Sequence, residues 1–170
     1  MALPGRDKTF ALENCRNLLD KLKREIDRFQ AAGNEIEDCK DFAFNAAVTA
    51  WQLCDWVFAD MTSAQRDKYQ IHNVNQMREY ARYHCRALHL CRQAATASKH
   101  YTVDQHADPN VEIVVTVNSI PPPAQIPTQV AFGCYVYFVD GREKREAVDV
   151  FGDAFKFWTD FIYKNNIAPD

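Results

Sequence analysis

Residues 35–60 contain the run CKDFAFNAAVTAWQLCDWVFAD, and it constrains the fold more than any other stretch. Read as a helix, Phe42, Phe44, Ala46, Ala47, Val48, Ala50, Trp51, Leu53, Trp56, Val57 and Phe58 cover nearly its whole circumference. A helix that is apolar all round must be surrounded by other elements, so a helical bundle has to be built about it. Asp55 is the exception. It projects among Val48, Trp51 and Phe58, where a core neighbour is expected, and a buried carboxylate must find a cationic partner or be protonated. The candidate partners are Arg92, Lys99 and His100, and Asp55 would either pair with one of them structurally or orient it in a site.

The remaining elements assemble around this helix. Residues 9–31 carry Leu12, Cys15, Leu19, Leu22, Ile26 and Phe29 in steps of three and four, a narrow apolar seam. Gly33 is suited to a left-handed cap, and Asn34 with Glu37 reads as a capping box for the central helix. Ser63 is placed to cap a short helix, and Asn73 with Gln76 to cap a long one. The β-branched run 111–118 predicts a strand and residues 130–139 a second, with Pro121, Pro122, Pro123 and Pro127 in a stiff loop between them. Asp140-Gly141 signals a hairpin turn, residues 143–150 a third strand, and residues 150–165 a closing amphipathic helix. The expected architecture is mainly α. It is an antiparallel helical bundle in one domain, 1–170, with a small antiparallel sheet inserted at about 111–149 before the last helix.

The long helix predicted over 73–101 concentrates the basic residues. At about 100° per residue, Arg78, Arg82, Arg86, His89, Arg92, Lys99 and His100 fall within an arc of about 140°. Glu79 is the one acidic residue nearby on that helix. Such a stripe is either a solvated face or an anion site, and for the latter RNA or nucleotide phosphate is the natural ligand, since arginine forks grip its oxygens. Arg92, Lys99 and His100 form the sharper subset. His100 beside two cations is held neutral and able to act as a base, and Arg92 and Lys99 can stabilise charge developing on phosphorus. The same His100 would alternatively cap the helix C-terminus.

Composition limits the other possibilities. With 170 residues, 47% hydrophobic, the chain can bury a core without staples. A formal charge of −3 excludes a general nucleic-acid coat and makes any anionic partner a local matter. The six cysteines form no C-x-x-C pair and suit a reducing cytoplasm. MALPGRDKTF lacks the apolar run of a signal peptide, and no segment is apolar enough to span a bilayer, so a cytoplasmic protein is expected. His84, Cys85, His89 and Cys91 do not converge on one face, so neither a metal nor another cofactor is expected. No Gly-rich phosphate loop or serine-hydrolase elbow is present.

Three segments, FNAAVTAWQLCDWVF, CRALHLCRQAATASKHY and the final FKFWTDFI, together resemble small bacterial and phage proteins of the HEPN superfamily. The resemblance implies an antiparallel helical bundle, often dimerised with active sites at the interface. It also implies metal-independent endoribonuclease activity in toxin–antitoxin or anti-phage systems, so RNA, an antitoxin and a second copy of the chain are the implied partners. The family signature is an Arg, a polar residue, then four to six residues to a His. Arg92-Gln93 with His100 is the nearest match and leaves seven residues between Arg and His. On this reading His100 is the general base, Arg92 and Lys99 stabilise phosphate, Asp55 supports the helix, and Arg78, Arg82, Arg86 and His89 bind nucleic acid. The competing expectation is a non-catalytic module that engages a protein through loop 119–128 and the hairpin.

Overall fold

The computed structural model of the protein describes residues 9–33, 35–97, 107–120 and 131–168. Along these, α1 (Cys15–Ala31), α2 (Ile36–Asp60), α3 (Ser63–Tyr69), α4 (Val74–His84) and α5 (Arg86–Ala97) precede β1 (Val111–Ile120), β2 (Ala131–Asp140), β3 (Glu143–Glu146) and α6 (Ala147–Lys164). The result is a mainly helical fold with a three-stranded antiparallel sheet, order β1-β2-β3, before the C-terminal helix.

The central role of α2 follows from its composition. It packs against α1, α4, α5, α6 and β2. Ala43, Ala46, Ala47 and Ala50 are buried on it, and side chains this small let neighbouring helices approach closely. Trp158 of α6 fills the space beside them, fully buried, and its indole N–H donates to the Ala50 carbonyl at 2.9 Å. Leu19, Leu22 and Ile26 of α1, and Val150, Phe151 and Ile162 of α6, complete the core.

Local signals set most boundaries. The Asn14 side chain accepts from the Asn17 N–H, so α1 starts at Cys15 rather than near residue 9. Gly33 has φ +57, as expected of a residue closing α1. Asn34 lies outside the described residues, and Glu35, the N-cap of α2, makes no side-chain cap bond. At α3 the cap is Thr62, not Ser63, in a reciprocal box with Gln65. Asn73 caps α4 through the Gln76 N–H, while Gln76 reaches back to the His72 N–H instead of that of Asn73.

Two expectations fail in instructive ways. Residues 147–150 do not extend the third strand: β3 ends at Glu146, and Ala147 and Val150 are buried as the first turn of α6. Period-two and period-3.6 patterns cannot be separated over so few residues, and packing decides. The long basic helix is also not continuous. Cys85 takes an extended conformation, φ −142 and ψ 101, ending α4, and α5 begins at Arg86. No Gly or Pro marks this break; tertiary contacts override helix propensity there.

The hairpin sits on the bundle through β2, where Val136 and Phe138 are buried. On the same face of the sheet, their β1 partners Val115 and Ile113 overhang and are 40% exposed. At the base, the Gly141 N–H donates to the Asn110 carbonyl at 2.8 Å, and Gly141 has φ +63 in the β2–β3 turn that Asp140-Gly141 signals. The proline-rich stretch 121–130 lies outside the described residues. No described helix is long and apolar enough to cross a membrane.

Candidate functional site

The break at Cys85 lets two helices, α4 and α5, line one open cavity of about 830 Å³. Arg78, Glu79 and Arg82 enter from α4, His89, Arg92 and Gln93 from α5, Trp51 from α2, and Asp108 from the segment leading to β1. Three of the four residues assigned to nucleic-acid binding (Arg78, Arg82 and His89) therefore share the cleft with Arg92. Lys99 and His100 lie outside the described residues.

The electrostatics differ from those of an uncompensated stripe. Carboxylates meet most of the arginines, Asp55, Asp108 and Asp140 from elements remote in sequence and Glu79 from α4 itself. Arg78 binds Asp55 through two guanidinium nitrogens, Nε to Oδ1 at 3.0 Å and a terminal nitrogen to Oδ2 at 2.9 Å. Arg82 bonds Glu79 at 2.6 Å. Arg86 clasps Asp140 of β2 with two nitrogens, lies 3.4 Å from Asp108, and does not line the cleft. Its hydrogen bond to Asp140 raises its pKa, and the same contact holds the Asp140 carboxyl below the usual carboxylate value. Arg92, half-buried, is the arginine of the cleft without an ion pair among the described residues.

Asp55 corrects the sequence expectation on two counts. Its side chain is 48% exposed rather than buried, and among the described residues its partner is Arg78, not Arg92. It still braces the basic segment, since the bidentate pair ties α2 to α4. The cause is the helix face: α4 lies where a hydrophobic neighbour was expected, and it offers Arg78 at its solvent edge.

His89 also departs from its expected place on an exposed face. It is 7% exposed, and its Nε2 lies 2.9 Å from Asp108 Oδ2. Burial lowers its pKa, outweighing the raising effect of the Asp108 hydrogen bond, and nearby Arg86 and Arg92 add to the lowering. The ring is thus neutral near neutrality, with Nε2–H donating to the carboxylate and Nδ1 left as the acceptor nitrogen. Asp108 is fixed in turn. Its Oδ1 accepts from the Asn110 backbone and side-chain nitrogens at 3.0 and 3.2 Å, and its own N–H donates to Gln93 Oε1 at 3.2 Å. The Asn110 N–H, then His89, hold its pKa below the usual carboxylate value.

Sequence reasoning missed Asp108 and Trp51 as site residues. Asp108 reads as the first residue of an Asp-Pro-Asn turn, and Trp51 as core of an apolar helix. Trp51 is in fact half-buried and lines the cavity. Asp108 carried one usable signal: an Asx residue with a side chain free to bind its own turn is also free to bind a neighbour.

The cleft therefore combines a neutral, carboxylate-oriented imidazole, a guanidinium without an ion pair among the described residues, two exchangeable arginine pairs and an aromatic wall. Among the described residues no three His, Cys, Asp or Glu side chains gather as metal ligands would. No protein-family model, curated protein or solved structure matches the chain.

Proposed function

We propose that the chain is a HEPN-like protein that binds RNA or a nucleotide in the α4–α5 cleft, its phosphate on Arg92 and Arg82 and a base against Trp51. The observation that carries this reading is the presence in one cavity of Trp51 and of Arg92, which has no ion pair among the described residues. Single-stranded nucleic acid is held by that combination, a cation for the backbone and an aromatic surface for the base. The Arg82–Glu79 and Arg78–Asp55 pairs are partly exposed, so giving up either for a phosphate costs little.

The reading extends to metal-independent RNA cleavage. Asp108 orients His89, whose free Nδ1 accepts the proton of a ribose 2′-hydroxyl, and Arg82 and Arg92 stabilise the charge on phosphorus. Arg82-Tyr83 is followed by five residues before His89 and Arg92-Gln93 by six before His100, so both pairs meet the spacing of the resemblance, and Arg82 and His89 both line the cleft. Such an enzyme would serve a toxin–antitoxin or anti-phage system.

The test is anisotropy of a labelled single-stranded RNA, with a parallel incubation of a mixed RNA pool in EDTA. Arg92→Ala and Trp51→Ala, verified as folded by thermal melting, are each expected to weaken binding about tenfold or more. His89→Gln is expected to retain binding and lose cleavage. Unchanged affinity in both binding variants would remove the cleft from the reading. Cleavage surviving His89→Gln but lost in His100→Ala would return the chemistry to the end of the basic segment.

A further inference from the structure

On the side of the molecule where β2 packs on α2, two cysteines ninety-five residues apart line one cavity, and the thiol of the first interacts with both the backbone and the side chain of the second. Cys39 Sγ lies 3.8 Å from the Cys134 carbonyl oxygen, and both cysteines line a cavity of about 220 Å³ bordered by Phe29, Gly33 and Tyr135. Cys39 is 2% exposed and Cys134 is half-buried, so solvent reaches the second through the cavity and barely reaches the first. Lys40, the next residue of α2, is held chiefly by Glu37 at 2.7 Å, and its ammonium also interacts electrostatically with Cys134. All six cysteines are free.

We propose that Cys134 and Cys39 form a peroxide-oxidisable dithiol, in which Cys134 is the attacked thiol and Cys39 resolves it to an intramolecular disulfide. In the first step the Cys134 thiolate attacks hydrogen peroxide. An S–O bond forms, the O–O bond breaks and hydroxide leaves to become water, so that sulfur loses two electrons and peroxide gains them. In the second step the Cys39 sulfur attacks the Cys134 sulfenic acid, an S–S bond forms, the S–O bond breaks, and the hydroxyl leaves as water with the Cys39 proton. Burial, and then the neighbouring Cys134 thiol, push Cys39 up to about 12, which keeps that proton in place until the second step. The disulfide would tie the hairpin to the central helix. Cys15, Cys54 and Cys91 are buried elsewhere, which leaves Cys85, also half-buried, as the competing thiol.

The experiment treats the reduced full chain with hydrogen peroxide, blocks remaining thiols under denaturing conditions, and reads intact mass and tryptic peptides. The expected product has lost two hydrogens, has four thiols left to block, and yields a Cys39–Cys134 linked peptide that dithiothreitol releases. Cys39→Ser, with Cys39→Ala as a second variant, is expected to stop at a sulfenic acid on Cys134 that dimedone traps. Cys134→Ser is expected to form no disulfide, and Cys85→Ser to behave as the parent chain. An unchanged thiol count, a linkage that uses another cysteine, or a disulfide formed in Cys134→Ser would each overturn the proposal.

Discussion

Asp55 and His89 show how solvent exposure decides what a charged side chain is worth. Asp55 bonds Arg78 at 2.9 and 3.0 Å but is half exposed, so Asp55→Asn is expected to cost no more than about 1 kcal/mol by urea denaturation. A loss of several kcal/mol would mean that the pair is desolvated. His89 has the opposite setting. Burial depresses its pKa below the usual 6.5, so on acidification the unfolded chain takes up the proton first. Its contribution to stability is complete above pH 6.5 and is lost as pH falls toward the folded-state value. Asp108, itself held below 3.8, extends the loss in the same direction at lower pH. Thermal melts should therefore fall in midpoint from about pH 6.5 downward, and His89→Gln should flatten the upper part of that fall. A midpoint that rises on acidification from pH 7 to 5 would contradict a neutral buried imidazole.

At the scale of elements, hydrophobic periodicity and capping chemistry carried most of the fold. The all-round apolar pattern made α2 central, Asn73 capped α4, and Asp140-Gly141 marked the β2–β3 turn. Gly141 has φ +63 with no atom within 4 Å of where a Cβ would sit, so Gly141→Ala meets backbone strain alone. A cost of about 1–2 kcal/mol is expected in equilibrium unfolding, and a neutral result would show that the turn relaxes. The break at Cys85 was not legible. Its residues include no Gly or Pro, and the contacts that accompany it come from Asp140 and Asp108, which meet Arg86 across 54 and 22 positions of sequence. Of the residues that the helical wheel of the intact segment grouped, Arg78, Arg82, His89 and Arg92 line the cleft, Arg86 does not, and Lys99 and His100 lie outside the described residues. What it could not supply were the carboxylates that neutralise most of that charge, since pairing between distant elements leaves no local pattern.

The whole molecule reads as a rigid core that presents two helices at an angle chosen by the core rather than by their own sequence. Trp158 is the keystone in energetic terms, fully buried and hydrogen-bonded to the carbonyl of Ala50 in α2. Trp158→Ala is expected to cost about 3–5 kcal/mol and, by loosening α2 against α6, to weaken the cleft built on Trp51 without touching it. A destabilisation under about 1 kcal/mol in chemical denaturation would show that this packing is dispensable. The central claim, that the cleft takes the phosphate of an RNA chain through Arg92, is tested most directly by the salt dependence of single-stranded RNA binding. For wild type the logarithm of the association constant should fall linearly with the logarithm of salt concentration, and Arg92→Ala should reduce the slope by about 0.7, one phosphate contact on a single strand. Binding that is indifferent to salt, or a slope identical in wild type and Arg92→Ala, would contradict it.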